Sequence, residues 1–243
     1  MKKIRLGFIG TGNMGQMAHL RNYLSLPNCE VVALAELRPQ LAALVGTRHG
    51  IPEVYHDHHE LLAKANVDAY VMIQPFWIHG GLLPDVLVKG KPIMIEKPLA
   101  HSVEICRRMA ELSAKHRAPI YVAYHKRSDL ASVAAAEKVR EWKASGKFGE
   151  LRYIRVTMPP GKWDAEGFSN RITTEEKYPE IQNDPPPEGF TKEDAHQNFL
   201  LVNFYIHQIN LVRYLLGEDY TVTAADANGR YFGLRSASGV SGI

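Results

Sequence analysis

Short apolar runs alternate with amphipathic stretches through the first half of the chain. The apolar runs predict strands over residues 4–9, 30–35, 69–73, 92–95 and 119–124. Between them, apolar positions recur at helical spacing over 13–25, 38–48, 58–65, 77–89 and 101–117. Strands alternating with helices in this way predict a parallel sheet covered on both faces. Ligands of that architecture bind beyond the carboxyl ends of the strands. Pro84 interrupts the fourth helical stretch and predicts a kink or a split there.

After residue 125 the pattern changes. Good helix formers over 130–144 end at Ser145-Gly146, a C-cap signal, and a strand is read over 151–157. Residues 159–196 are rich in proline, glycine and charge and include Pro185-Pro186-Pro187. No regular structure fits them, and a loop of that length inside a domain is usually functional or mobile. A second helix is read over 197–216, stopping at Gly217, and a further strand over 221–225. The terminal run Ser238-Gly239-Val240-Ser241-Gly242-Ile243 reads as an interrupted strand, which predicts a shortened form of something longer. The expected fold is therefore α/β: a doubly wound parallel sheet over residues 1–125, then an α+β open-sheet domain over 126–243, apparently truncated.

Composition narrows the class. Of 243 residues, 45% are apolar and 23% charged, as in an ordinary globular protein. A net charge of +3 gives no reason to expect nucleic acid or an anionic membrane as partner. Cys29 and Cys106 lack metal or redox spacing, which predicts reduced thiols in the cytoplasm. The first strand begins within four residues, leaving no room for a signal peptide, and no apolar stretch approaches the roughly 20 residues that span a bilayer.

The most informative motif is Gly10-Thr11-Gly12-Asn13-Met14-Gly15, directly after the first strand. Spaced glycines between a strand and a helix gather backbone N–H groups and a helix dipole at one point, which suits a pyrophosphate. The first glycine allows the turn, the second lets phosphate approach, and the third lets the helix pack on the strand. Glu36 ends the next strand, where a carboxylate can accept from the ribose hydroxyls of adenosine. NAD is the expected cofactor. Arg38, whose guanidinium could pair with a 2′-phosphate, keeps NADP possible.

Glu96-Lys97-Pro98 closes the strand read over 92–95; desolvation there would bring the lysine toward useful acid–base range, although a surface Glu–Lys pair is the competing reading. Asn203, His207 and Asn210 share one helix face, where the histidine is either a proton carrier or a core residue. Gln74-Pro75 through His79 follows another strand, where residues over a nicotinamide would lie. His56-Asp57-His58-His59-Glu60 is read as an N-cap with its capping-box glutamate, and no metal is assigned.

Together GFIGTGNMG at 7–15, AEL at 35–37, QPFWIH at 74–79, EKP at 96–98 and the Asn203–His207–Asn210 helix resemble the Gfo/Idh/MocA oxidoreductases. GKFGELRYIR at 146–155 and LVRYLLG at 211–217 extend the match over nearly the whole chain. The resemblance implies hydride transfer between NAD(P) and a hydroxyl carbon of a sugar, inositol or related polyol. It implies a catalytic lysine at Lys97 and a catalytic histidine at His207, with Asn203 where an aspartate usually orients the histidine. Asn210 likewise replaces a usual acid, and Gln74 a common threonine or serine. The cofactor-binding set read on this basis is Gly10, Gly12, Asn13, Met14, Gly15, Glu36, Arg38, Gln74, Pro75, His79, Glu96, Lys97 and His125. A homo-oligomer is implied where the second sheet is complete.

Two other functions compete. One is a redox-neutral glycosidase or lyase of the same family, for which Trp163 and Phe168 in the long loop could stack on a sugar. The other is a non-catalytic dinucleotide sensor, suggested by Asn203 and Asn210.

Overall fold

The computed structural model describes residues 2–158, 167–226 and 231–243, with the side chain of Leu200 excepted. Trp163 therefore lies outside the described residues. The chain divides into two compact units, each discontinuous in sequence: residues 1–123 with 162–187, and residues 124–161 with 188–243.

The first unit is built on a six-stranded parallel sheet of order β3-β2-β1-β4-β5-β6. Its strands are β1 (Ile4–Ile9), β2 (Cys29–Ala35), β3 (Glu53–Tyr55), β4 (Ala69–Met72), β5 (Ile93–Ile95) and β6 (Ile120–Val122). The order steps outward from β1 in both directions, so the carboxyl ends of β1 and β4 flank a switch in winding direction, where such sheets form a ligand crevice. The central strands are buried on both faces, so they read as continuous apolar runs rather than alternating ones.

One face is covered by helices α1 (Arg21–Ser25), preceded by a π-helical turn at Gly15–Leu20, and α2 (Pro39–His49); Leu20, Leu41 and Val45 pack there on Phe8, Val31 and Leu34. The other face carries α3 (His58–Lys64), α4 (His79–Leu87) and α5 (Val103–His116), with Leu61, Leu83, Leu87 and Met109 against Tyr70, Met72 and Ile95. Pro84 lies inside α4 without splitting it, and a 3₁₀ turn at Phe76–Ile78 leads in. β3 was not expected from the sequence: three residues, Glu-Val-Tyr, form no apolar run, and pairing with the edge of β2 is what makes them a strand.

The second unit holds α6 (Leu130–Ser145), α7 (Lys192–Leu216) and a four-stranded sheet of order β7-β10-β9-β8. These strands are β7 (Tyr153–Ile154), β8 (Tyr220–Ala225), β9 (Phe232–Ser236) and β10 (Ser241–Gly242). Gly146 and Gly217, both at positive φ, cap the two helices as expected. α7 begins at Lys192 rather than 197, because Thr191 and Asp194 form a reciprocal capping box. Its core is small: Val212, Leu216, Leu234 and Val240, ringed by residues such as Ile154 and Phe232. Among the described residues no helix is long and apolar enough to cross a membrane.

Candidate active site

The glycine turn has the geometry its sequence implied. Gly10 sits at φ +90°, and a Cβ there would lie 2.7 Å from Ile73 O and from Gln74 Nε2. A Cβ on Gly15 would meet Gly10 O at 2.6 Å, so the turn and the helix that follows can pack only if both residues are bare. Gly12 differs: among the described residues the nearest atom to its would-be Cβ is Arg38 Nη2, at 3.9 Å. Its open face lets a ligand approach the backbone at the start of the helix that contains Asn13 and Met14. The residues present fit a dinucleotide pyrophosphate.

Glu36 is 4% exposed and staples this turn. Its Oε2 accepts from Thr11 N at 3.0 Å and Thr11 Oγ1 at 3.2 Å; its Oε1 accepts from Arg38 N at 3.2 Å and Arg38 Nε at 2.8 Å. Four donors thus engage the carboxylate that the sequence offered to a ribose. Two side chains with structural roles here were not singled out from the sequence. Gln16 donates to Thr11 O at 2.9 Å, and His19 Nε2 lies 2.7 Å from Glu96 Oε1.

The segment after β4 is held by buried polar contacts. Gln74 Nε2 donates to Ile9 O, while its buried Oε1 has no hydrogen-bond partner among the described residues. Pro75 leads into the 3₁₀ turn. His79 is fully buried, with Nδ1 2.9 Å from Leu99 O and Nε2 3.1 Å from Gln74 O. It therefore braces the 74–75 turn and offers no surface to a ligand. Burial drives its pKa below the ordinary value, against the two carbonyls that favour the charged ring.

Glu96 and Lys97 follow β5. Burial works against ionisation of Glu96, but the His19 hydrogen bond and the Lys97 amide, which donates to Oε2 at 3.0 Å, leave its pKa below the ordinary value. Lys97 is half-buried; desolvation pushes its pKa down, and the Glu96 charge only partly restores it. An ammonium in such a setting can exchange protons nearer neutrality than a surface lysine.

In the second unit, Asn203, His207 and Asn210 lie partly buried along α7. The His207 ring packs against His125, centroids 4.4 Å apart and planes at 56°. His125, read from the sequence as a cofactor contact, thus belongs to the second unit and is a ring neighbour of the candidate catalytic histidine. Asn210 Oδ1 accepts from Arg127 Nε at 2.7 Å, and the Arg127 guanidinium lies over the Tyr214 ring.

Asp57 caps α3, accepting from Glu60 N at 2.8 Å, and Glu60 in turn accepts from His56 N at 3.1 Å. Folding also brings Asp85 to His58 and His59, with the possible ligand atoms within 4.8 Å of one another on the surface.

Residues 4–124 match the family described as oxidoreductase family, NAD-binding Rossmann fold. An inositol 2-dehydrogenase of Burkholderia lata is 27% identical over 221 residues, covering 90% of this chain and 56% of the relative. One from Rubrobacter xylanophilus is 34% identical over 149 residues, covering 61% of this chain and 42% of the relative. The chain therefore spans about half the length of the curated relatives it matches. Among solved structures, scyllo-inositol dehydrogenase from Lactobacillus casei with bound NAD(H) and scyllo-inositol superposes with a TM-score of 0.72 at 19% identity; the match covers 100% of this chain and 68% of that one.

Proposed function

This chain belongs to the Gfo/Idh/MocA oxidoreductase family, and on that premise we propose that it serves an NAD-dependent dehydrogenase oxidising a secondary hydroxyl of an inositol or related polyol. The observation that carries the reading is the bare face of Gly12, set in a turn that only glycine at positions 10 and 15 can make. Gly10, Gly12, Asn13, Met14 and Gly15 would hold the pyrophosphate, with Arg38 beside the adenosine ribose. NAD, when bound, supplies the hydride acceptor.

The remaining chemistry belongs to the chain's own side chains. His207 takes the proton of the substrate hydroxyl as general base. Lys97 Nζ, its pKa lowered by burial, is the first unit's candidate to donate a hydrogen bond to a substrate oxygen as carbonyl character develops. Asn203 orients the imidazole as a positioning residue; an amide oxygen accepts from the ring but adds no charge to stabilise imidazolium. Inositols are the favoured substrate class because similar curated proteins carry that name.

The test is to incubate the chain with NAD and a panel of inositols, sugars and other polyols while following nicotinamide absorbance. NADH should accumulate with at least one cyclic polyol and not after His207→Ala. Tight NADH binding with no turnover on any of them would overturn the dehydrogenase reading.

A further inference from the structure

Residues 167–187 belong to the nucleotide-binding unit, although they lie far from it in sequence. Three of their ties to it lie at or near the start of a helix that follows a strand of the parallel sheet, and a fourth, from Arg48 Nη1 to Asn170 O at 3.0 Å, lies at the end of α2. Gln16 Oε1 accepts from Ile172 N at 2.8 Å, and Gln16 Nε2 donates to Ile172 O at 3.1 Å. The Glu176 carboxylate accepts from Gln40 N and Leu41 N, both at 2.9 Å, at the first turn of α2; Thr174 Oγ1 steadies it at 3.0 Å. Asp184 N donates to Trp77 O at 2.6 Å, and Asp184 Oδ2 accepts from Gly80 N at 2.7 Å. A Cβ on Gly80 would lie 2.7–2.9 Å from that carboxylate, so a bare residue is what lets the strap seat. Between the last two ties the Tyr178 ring faces the Arg38 guanidinium, 5.2 Å from its carbon to the ring centroid.

We infer that Glu176 is a specificity-determining residue that excludes a 2′-phosphorylated dinucleotide. The inference rests on the dinucleotide reading above. In this architecture the ribose 2′ position lies where β2 ends and α2 begins. A 2′-phosphate would need what that corner offers: the free N–H groups of the first turn of α2 and the Arg38 guanidinium. Glu176 already holds those N–H groups with a carboxylate. Burial acts against its charge, but the Gln40 and Leu41 amides outweigh it, and the pKa lies below the ordinary value. An ionised carboxylate in that seat repels phosphate. Glu36, whose oxygens Thr11 and Arg38 engage, carries a carboxylate at the same corner. The strap thus adds a second acidic residue to the corner.

The experiment measures dissociation constants of NADH and NADPH by titration calorimetry for the unaltered chain, Glu176→Gln and Glu176→Ala. Glu176→Gln keeps the shape and removes the charge; Glu176→Ala also frees the α2 amides. Removing a unit charge a few ångströms from a phosphate should tighten NADPH binding about tenfold, with NADH changing less than about threefold. If the unaltered chain prefers NADH and neither variant moves the NADPH-to-NADH ratio, the strap inference fails alone. If the unaltered chain binds NADPH as tightly as NADH, it fails as well. If it binds neither, the dinucleotide reading fails and takes this inference with it.

Discussion

Lys97 is the residue on which the proposed chemistry turns, and its environment acts in two opposite directions. Burial lowers the pKa of its ammonium, with Glu96 partly compensating. A lysine that must donate a hydrogen bond to the reacting oxygen therefore loses its proton at a lower pH than the ordinary value of about 10.4, and kcat/KM should fall on the alkaline side through that lowered pKa. For stability the sign is reversed. Between the lowered pKa and the ordinary one the unfolded chain binds more protons, so stability rises with pH there, and at neutral pH the half-buried cation is a cost. Lys97→Met should accordingly reduce turnover by about 10²-fold or more. It should leave the melting temperature at pH 7 unchanged or higher. A matching fall in melting temperature and activity would make Lys97 a structural residue and remove it from the mechanism.

At the scale of elements, the nucleotide corner is a junction of β1, β2 and the start of α2 held by one carboxylate. Glu36→Ala would leave the buried Thr11 amide without its acceptor, at a cost of about 1–3 kcal/mol even with no cofactor present. Thermal melting of the ligand-free chain measures this directly, and an unchanged midpoint would mean Glu36 acts on ligand alone. The junction was largely legible in the sequence: the glycine spacing, the apolar run before it and the acidic end of β2 all act locally. Other parts had no local signal. β3 is three residues long and exists through its edge pairing, and the strand read over 151–157 narrows to Tyr153–Ile154 because only β10 pairs with it. The first turn of α7 was hidden in a polar stretch whose Thr191–Asp194 box is its own start signal. His79 became a buried brace because two backbone carbonyls from different turns converge on its ring. No periodicity announces such a contact.

At the scale of the whole chain, the strap makes the nucleotide-binding unit discontinuous: Glu176 reaches Gln40 across 136 residues and Ile172 reaches Gln16 across 156. Composition alone marked residues 159–196 as irregular, since proline, glycine and charge rule out regular elements but say nothing about where side chains dock. If the strap is part of the unit that binds cofactor, it must share that unit's stabilisation by ligand. NADH at 100 times its dissociation constant stabilises whatever binds it by about 2.7 kcal/mol, which slows exchange through global opening about 100-fold. Hydrogen exchange should then show the amides of Ile172 and Asp184, which donate to Gln16 Oε1 and Trp77 O, slowing together with those of β1 and β4. Strap amides that exchange at the same rate with and without NADH, while β1 slows, would place the strap outside the cooperative unit. In that case Glu176 would act, if at all, only as a loosely held charge. Slowing in step would mean that a segment from the far half of the sequence folds as one cooperative unit with the sheet that binds cofactor.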